Sequence, residues 1–207
     1  MSFVITSYFT IDNAYAEVAH KFILPSLVNI TPKLKSDIRG VTSRGNWGMD
    51  TSYKPEFLKI MLEHHKEDNI IFVDADAEIL NYPSLFENIP EECIIAAYKL
   101  DRNSWYGREF PESERYEILS GTLFIRNCPQ SMELLEEWIK RCKDNPKIWE
   151  QRILQKIISE KNIKVYELPM EYCRILTMPD GSEPIIACIN PIVVHHQISR
   201  KLKHRKL

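Results

Sequence analysis

Short apolar runs alternate with amphipathic stretches along this chain, and the two kinds of pattern predict strands and helices in turn. Phe3-Val4-Ile5-Thr6-Ser7-Tyr8 is β-rich and predicts a first strand. Asp12 or Asn13 then caps a helix carrying Ala16, Val18, Ala19, Phe22 and Ile23. A short strand follows near Lys35 to Val41, then a glycine-containing loop, TSRGNWGMDTSY. Lys54-Pro55 opens a helix in which Phe57, Ile60, Met61 and His64 recur at helical spacing. Ile70 to Glu78 reads as a central strand, Tyr82 to Phe86 as a short helix and Cys93 to Tyr98 as a strand. The polar and aromatic stretch Asp101 to Arg115 reads as a surface loop, and Ile118 to Ile125 as a strand interrupted by Gly121. Asn127 caps a helix striped with Leu135, Trp138, Ile139 and Cys142. A helix from about Trp149 to Ser159 and strands at Val165 to Leu168 and Ile192 to His195 complete the series. Alternating strands and helices without internal repeats predict a three-layer α/β domain.

Two of these strands end on side chains with chemistry to offer. Ile70-Ile71-Phe72-Val73 runs into Asp74-Ala75-Asp76, at the carboxyl end of a buried strand, where open α/β sheets place their ligands. In an extended chain the two carboxylates share a side, forming a hard anionic pair suited to Mg²⁺ or Mn²⁺ and, through it, to phosphate oxygens. Asp-x-Asp is also a common turn pattern, in which Asp caps a backbone N–H. Near the other terminus Ile192-Val193-Val194 leads into His195-His196. Neighbouring residues of a strand point oppositely, so at most one imidazole joins the carboxylates, and it favours Mn²⁺ over Mg²⁺.

Composition narrows the picture. The chain has 207 residues, 44% of them hydrophobic, and a formal net charge of −2, enough for one large domain. No apolar stretch spans a bilayer and MSFVITSYFT lacks signal-peptide features, so a cytoplasmic address is the default. Five widely spaced cysteines without a C-x-x-C pair read as reduced thiols. Residues 199–207, SRKLKHRKL, hold Arg200, Lys201, Lys203, Arg205 and Lys206 with no acid. This basic tail, set apart from a 1–198 domain, is able to meet phosphates, an anionic membrane face or only water. Basic residues gathered in one tail, without an accompanying aromatic pattern, argue against nucleic-acid binding.

Taken in order, IIFVDADAE, the preceding RGNWGMDTSYKPEFLKIML, SGTLFIRN with its amphipathic helix, Trp149-Glu150-Gln151 and VVHHQISRKLK resemble a small glycosyltransferase of the GT-A, nucleotide-diphospho-sugar transferase, fold. The resemblance runs from Tyr8 to Lys203 and implies a three-layer sandwich around a mixed, mostly parallel sheet. It implies an Mn²⁺ (or Mg²⁺) held by Asp76 and by His195 in preference to His196, with Asp74 on the metal or the donor ribose. Thr6, Tyr8 and Thr10 are placed by it beside the nucleobase or ribose, Lys54 facing the donor, and Ser120 and Gly121 along the transferred sugar. Glu150-Gln151 stand where related enzymes often carry Asp-Gln, near the reacting face, and Arg200, Lys201 and Lys203 are within reach of the diphosphate.

The activity so implied is transfer of a sugar from a UDP-sugar to an acceptor hydroxyl, with retention of configuration. The acceptor is a glycan, a lipid-linked sugar or a protein side chain, with Trp105 and Tyr106 as candidate contacts. Two rivals share parts of the pattern. A noncatalytic nucleotide-sugar or carbohydrate-binding protein of this fold would present the same residues. A haloacid-dehalogenase-like phosphatase also uses Asp-x-Asp, but it wants Thr or Val where this chain has Glu78, and it wants the motif near its start.

Overall fold

A computed structural model describes residues 2–178, 180–184 and 186–202; of the basic tail, 203–207 and the side chain of Lys201 lie outside the described residues. The chain opens with β1 (Phe3–Thr10), and its first helix is split into α1 (Tyr15–Lys21) and α2 (Ile23–Asn29). Pro25 explains the break, because it has no N–H to donate to the Lys21 carbonyl in a continuous helix. β2 (Ser36–Val41) follows, and the expected loop after it contains a short helix, α3 (Trp47–Thr51), started by Asn46, whose side chain accepts from Met49 N–H. α4 (Lys54–His64) leads into β3 (Asn69–Val73).

The strand expected from Ile70 to Glu78 is not continuous. It stops at Val73, turns through Asp74-Ala75-Asp76, closed by Ala77 N–H on the Asp74 carbonyl (2.9 Å), and resumes as β4 (Ala77–Ile79) in a different sheet. After a single 3-10 turn come β5 (Ile95–Asp101), α5 (Arg102–Tyr106), α6 (Glu112–Arg115) and β6 (Tyr116–Ile125), so the expected 101–115 loop is two short helices. α7 (Pro129–Asp144), α8 (Glu150–Glu160), β7 (Val165–Leu168), β8 (Arg174–Ile175), β9 (Val193–His195) and α9 (Ile198–Leu202) complete the described chain. Asn127 does not cap α7. Its amide instead donates to carbonyls at the end of α4 and just beyond, those of His65 (3.0 Å), Lys66 (3.1 Å) and Asp68 (3.2 Å), satisfying groups that the helix leaves open.

Among the described residues the large sheet has the order β2-β1-β3-β6-β5-β7, with β6 antiparallel to both neighbours and the remaining pairs parallel. Alternation along its strands divides the core in two. Ile5, Ile71, Val73 and Phe124 face α1, α2 and the small sheet β4-β9-β8, whereas Val4, Ile70, Phe72, Leu123 and Ile125 face α4, α7 and α8. These are the three layers, helix on one side and helix with a small sheet on the other. Among the described residues no helix is long and apolar enough to cross a membrane, and all five cysteines are unpaired.

Candidate functional site

The turn after β3 and the end of β9 meet at the floor of a cleft. Antiparallel pairing sets Ala77 opposite His195, which carries the imidazole beside the turn. Ligand atoms of Asp74, Asp76 and His195 then all lie within 4.8 Å of one another. The carboxylates therefore converge because the chain turns, not because they sit on one side of an extended strand. The turn is held from the C-terminal segment as well: Ile198 N–H donates to Asp76 Oδ2 (2.8 Å) and His196 N–H to the Asp76 carbonyl (3.1 Å).

Strand alternation separates the two histidines as expected. His195 is buried and its Nε2 lies 2.8 Å from the Thr122 hydroxyl. With the proton on Nε2, Nδ1 is the free ligand atom, and its orientation is fixed by that hydroxyl. His196 turns away, stacks on Phe22 at 3.8 Å and reaches Glu78 at 3.1 Å, outside the group.

Burial pushes the Asp76 carboxyl up to about 7, helped by the neighbouring charge of Asp74. Asp74 is also raised, burial at the cleft floor outweighing the pull of Lys54. Burial holds His195 down at about 3, with Lys54 adding to the effect, so its imidazole is neutral. Two crowded carboxylates and a neutral imidazole are a donor set that fits Mn²⁺ or Mg²⁺. A second trio, Asp37, His64 and His65, meets at the β2 edge. There Arg39 already holds both Asp37 oxygens and draws its pKa down to about 2, with His65 assisting against burial.

Gly121 is what allows the approach. β6 bulges opposite Ala97 and Tyr98, and a Cβ on Gly121 would lie 3.0 Å from His195 Cε1 and 3.1 Å from Asp74 Oδ2. Next to it, Ser120 joins a buried network. Lys54 Nζ donates to the Ser120 carbonyl and hydroxyl (both 3.0 Å) and pairs with Asp74 (3.1 Å) and Glu150 (3.2 Å). Ser120 Oγ donates to Glu150 (2.8 Å) and Ser120 N–H to Gln151 Oε1 (2.8 Å). Burial works against the Lys54 charge, but Asp74 and Glu150 outweigh it and raise its pKa. Lys54 and Glu150 are thus both buried, and neither faces solvent.

Tyr8 and Thr10 line the cleft, and Tyr8 donates to the Asp50 carbonyl (2.8 Å). Thr6 stays inside the sheet, fully buried, with its hydroxyl on the Ile71 carbonyl (3.3 Å). Arg200 also lines the cleft, with α9. Trp105 shares a small core with Leu100 and Ile175, while Tyr106 at the cleft mouth is 40% exposed. Cleft residues that the sequence did not mark out include Tyr15, Glu117 and Cys173. Tyr15 brings a buried hydroxyl proton that has no acceptor among the described residues, close enough to the carboxylates for Asp76 and Asp74 to add to the upward shift that burial imposes.

The fold has known counterparts. Solved structures that share the fold include a glycosyltransferase involved in the glycosylation of the major capsid of PBCV-1 (11% identity, covering 98% of this chain and 97% of that one, TM-score 0.68). Mouse xyloside xylosyltransferase 1 is similar over 97% of this chain and 99% of that one (13% identity, TM-score 0.61). The galactosyltransferase LgtC, solved with donor and acceptor sugar analogues, is similar over 94% and 87% (15% identity, TM-score 0.55). No curated protein sequence matches. The fold is that of GT-A glycosyltransferases, as the sequence led one to expect. The model of the nucleotide-diphospho-sugar transferase family matches residues 53–206, well over half of the chain, and the chain belongs to that family.

Proposed function

We propose that this transferase moves a sugar from a UDP-sugar to an acceptor hydroxyl with retention of anomeric configuration, and that it depends on Mn²⁺ or Mg²⁺. The observation that carries the proposal is the meeting of Asp74, Asp76 and His195 at the cleft floor. A divalent cation bound there supplies neutralising charge for the departing diphosphate. Asp74, fixed by Lys54, presents one carboxylate, and Asp76, fixed by the Ile198 amide, presents the other. Gln151 is locked between Ser120 N–H and Glu117, to which its amide donates at 2.8 Å, which sets the wall of the cleft beside the transferred sugar. Arg200, which also lines the cleft, adds a positive charge that Asp76 feels.

The direct test is a thermal-shift screen of nucleotide-sugars with and without Mn²⁺, followed by assay of nucleotide release. Stabilisation by UDP-sugars that requires Mn²⁺, together with slow Mn²⁺-dependent hydrolysis of the donor, is expected. Binding without any hydrolysis would favour a noncatalytic binding protein. Retention is read separately, from the anomer first formed in the NMR spectrum.

Two further outcomes follow from the site. Cation binding must displace the proton that Asp76 holds below its pKa of about 7, whereas His195 is neutral throughout this range. Mn²⁺ affinity is therefore expected to rise with pH up to about 7 and to flatten above it. Calorimetry in buffers of differing ionisation enthalpy measures this slope, and a pH-independent affinity would contradict it. Gly121→Ala, which crowds both Asp74 and His195, is expected to weaken Mn²⁺ by about tenfold, the scale of outer-shell substitutions at metal sites. The same titration checks it.

A further inference from the structure

α4 ends at His64, and the backbone leaves the helical region at the next residue, with φ −105° and ψ 62° at His65. Neighbouring side chains of an unbroken helix point about 100° apart. The break after His64 instead brings the two imidazoles together, their ring centres 4.7 Å apart at 88°. Asp37, the second residue of β2, completes a trio in which one ligand atom from each side chain lies within 4.8 Å of the others. The trio stands at the amino-terminal end of the parallel strands, since Asp37 pairs with Thr6 near the start of β2 and β3 begins only at Asn69. The cleft trio gathers beyond the opposite end of β3, and the two share no residue.

We propose that Asp37, His64 and His65 form a second metal site, one that prefers Zn²⁺ to Mg²⁺ and is independent of the cleft. Two imidazoles and one carboxylate are a borderline donor set that suits Zn²⁺, whereas Mg²⁺ wants an octahedron of oxygens. His65 Nε2 and Asp37 Oδ2 already lie 2.9 Å apart. Tetrahedral bonds of about 2.0–2.1 Å set ligand atoms about 3.3 Å apart, so a cation that replaces this hydrogen bond parts the pair by only about 0.4 Å. His64 is exposed, and neither of its ring nitrogens has a hydrogen-bond partner among the described residues. Its side chain closes the remaining gap by rotation, with no bond given up, and the fourth position is left to water. Arg39 does not block the site. Its guanidinium takes one lone pair on each Asp37 oxygen, and a carboxylate offers about four such places. Arg39, with a side chain 36% exposed, is then the outer partner that orients the ligating carboxylate. The carboxyl end of α4, 11 residues long, adds the negative end of its dipole. Bound there, Zn²⁺ ties the end of α4 to the start of β2, an edge strand whose pairing among the described residues is with β1 alone.

The test is proton–nitrogen NMR of the imidazole rings in the full chain, with UDP and excess Mg²⁺ present to occupy the cleft while Zn²⁺ is titrated. Zn²⁺ is expected to move the ring-nitrogen signals of His64 and His65 to the positions of coordinated imidazole and to raise the melting midpoint. Further Mg²⁺ should do neither. His64→Gln, a change at an exposed position, is expected to weaken Zn²⁺ at least tenfold, since loss of even an outer partner costs a metal site about that much. Adding His65→Gln should abolish the response. Melting midpoints without zinc verify that each variant folds, and Asp76→Asn, beyond the far end of β3, should bind this zinc as the parent does. The proposal is overturned if saturating Zn²⁺ leaves both ring signals in place, if only His195 responds, or if the double variant keeps parental affinity. Equal shifts with Mg²⁺ would also overturn it, because they mark attraction of any cation in place of coordination.

Discussion

Asp76→Asn is expected to lower sugar transfer by roughly 10²- to 10³-fold or more, the range seen when one preorganised electrostatic contact to a transition state is lost, while leaving the protein at least as stable as the parent. The two halves of this expectation have separate causes. Asn keeps an oxygen in place for the Ile198 N–H that Asp76 Oδ2 accepts at 2.8 Å, so the docking of the C-terminal segment survives. It removes a carboxylate that burial and Asp74 already hold up at a pKa of about 7. A group raised in this way contributes stability that is complete below its unfolded pKa and is lost as pH rises through the folded one. At pH 8 the parent has lost that contribution and the Asn variant has not. Measured together, turnover and the melting midpoint distinguish a functional carboxylate from a structural one. Near-parental transfer by the variant would sink the assignment.

Lys54→Met is expected to cost about 3–5 kcal/mol of stability, the scale for breaking a buried pair by removing one partner. Lys54 and Glu150 have side chains only 4% and 5% exposed, whereas Asp74 is 39% exposed to the cleft. The unpaired charge that matters for folding is therefore that of Glu150, because Asp74 can still be solvated. Adding Glu150→Gln to Lys54→Met should recover most of the loss, since Gln retains an acceptor for the Ser120 hydroxyl and carries no charge. Urea unfolding of the single and double variants measures both terms. A double variant no more stable than Lys54→Met alone would show that another contact sets the cost. Activity should stay low in both, because Asp74 loses the ammonium that positions it.

The division of the chain into strands and helices was legible because its strands alternate cleanly between two cores, and the histidine pair was legible for the same reason. Choosing between His195 and His196 was not, because it depends on the register that sets Ala77 opposite His195, and register lies between strands. The break at Val73 was hidden by apolar and small residues on both sides of the turn, which read as one strand. Lys54 beside Pro55 looks like any solvated helix start. Its burial is fixed by Ser120 on a β6 bulge and by Glu150 at the head of α8, partners that only the sheet order brings near. Tyr15 carried no signal for the same reason, since its proximity to the aspartates comes from β1 lying beside β3.

The small sheet β4-β9-β8 joins segments far apart in the chain, with Ile198 bonded across 122 positions to Asp76. During synthesis both aspartates leave the ribosome long before the imidazole and the amide that complete their surroundings. A nascent chain paused before residue 193 holds the large-sheet strands but neither His195 nor the clasp on Asp76. The three side chains at the cleft floor therefore come together only when β9 docks.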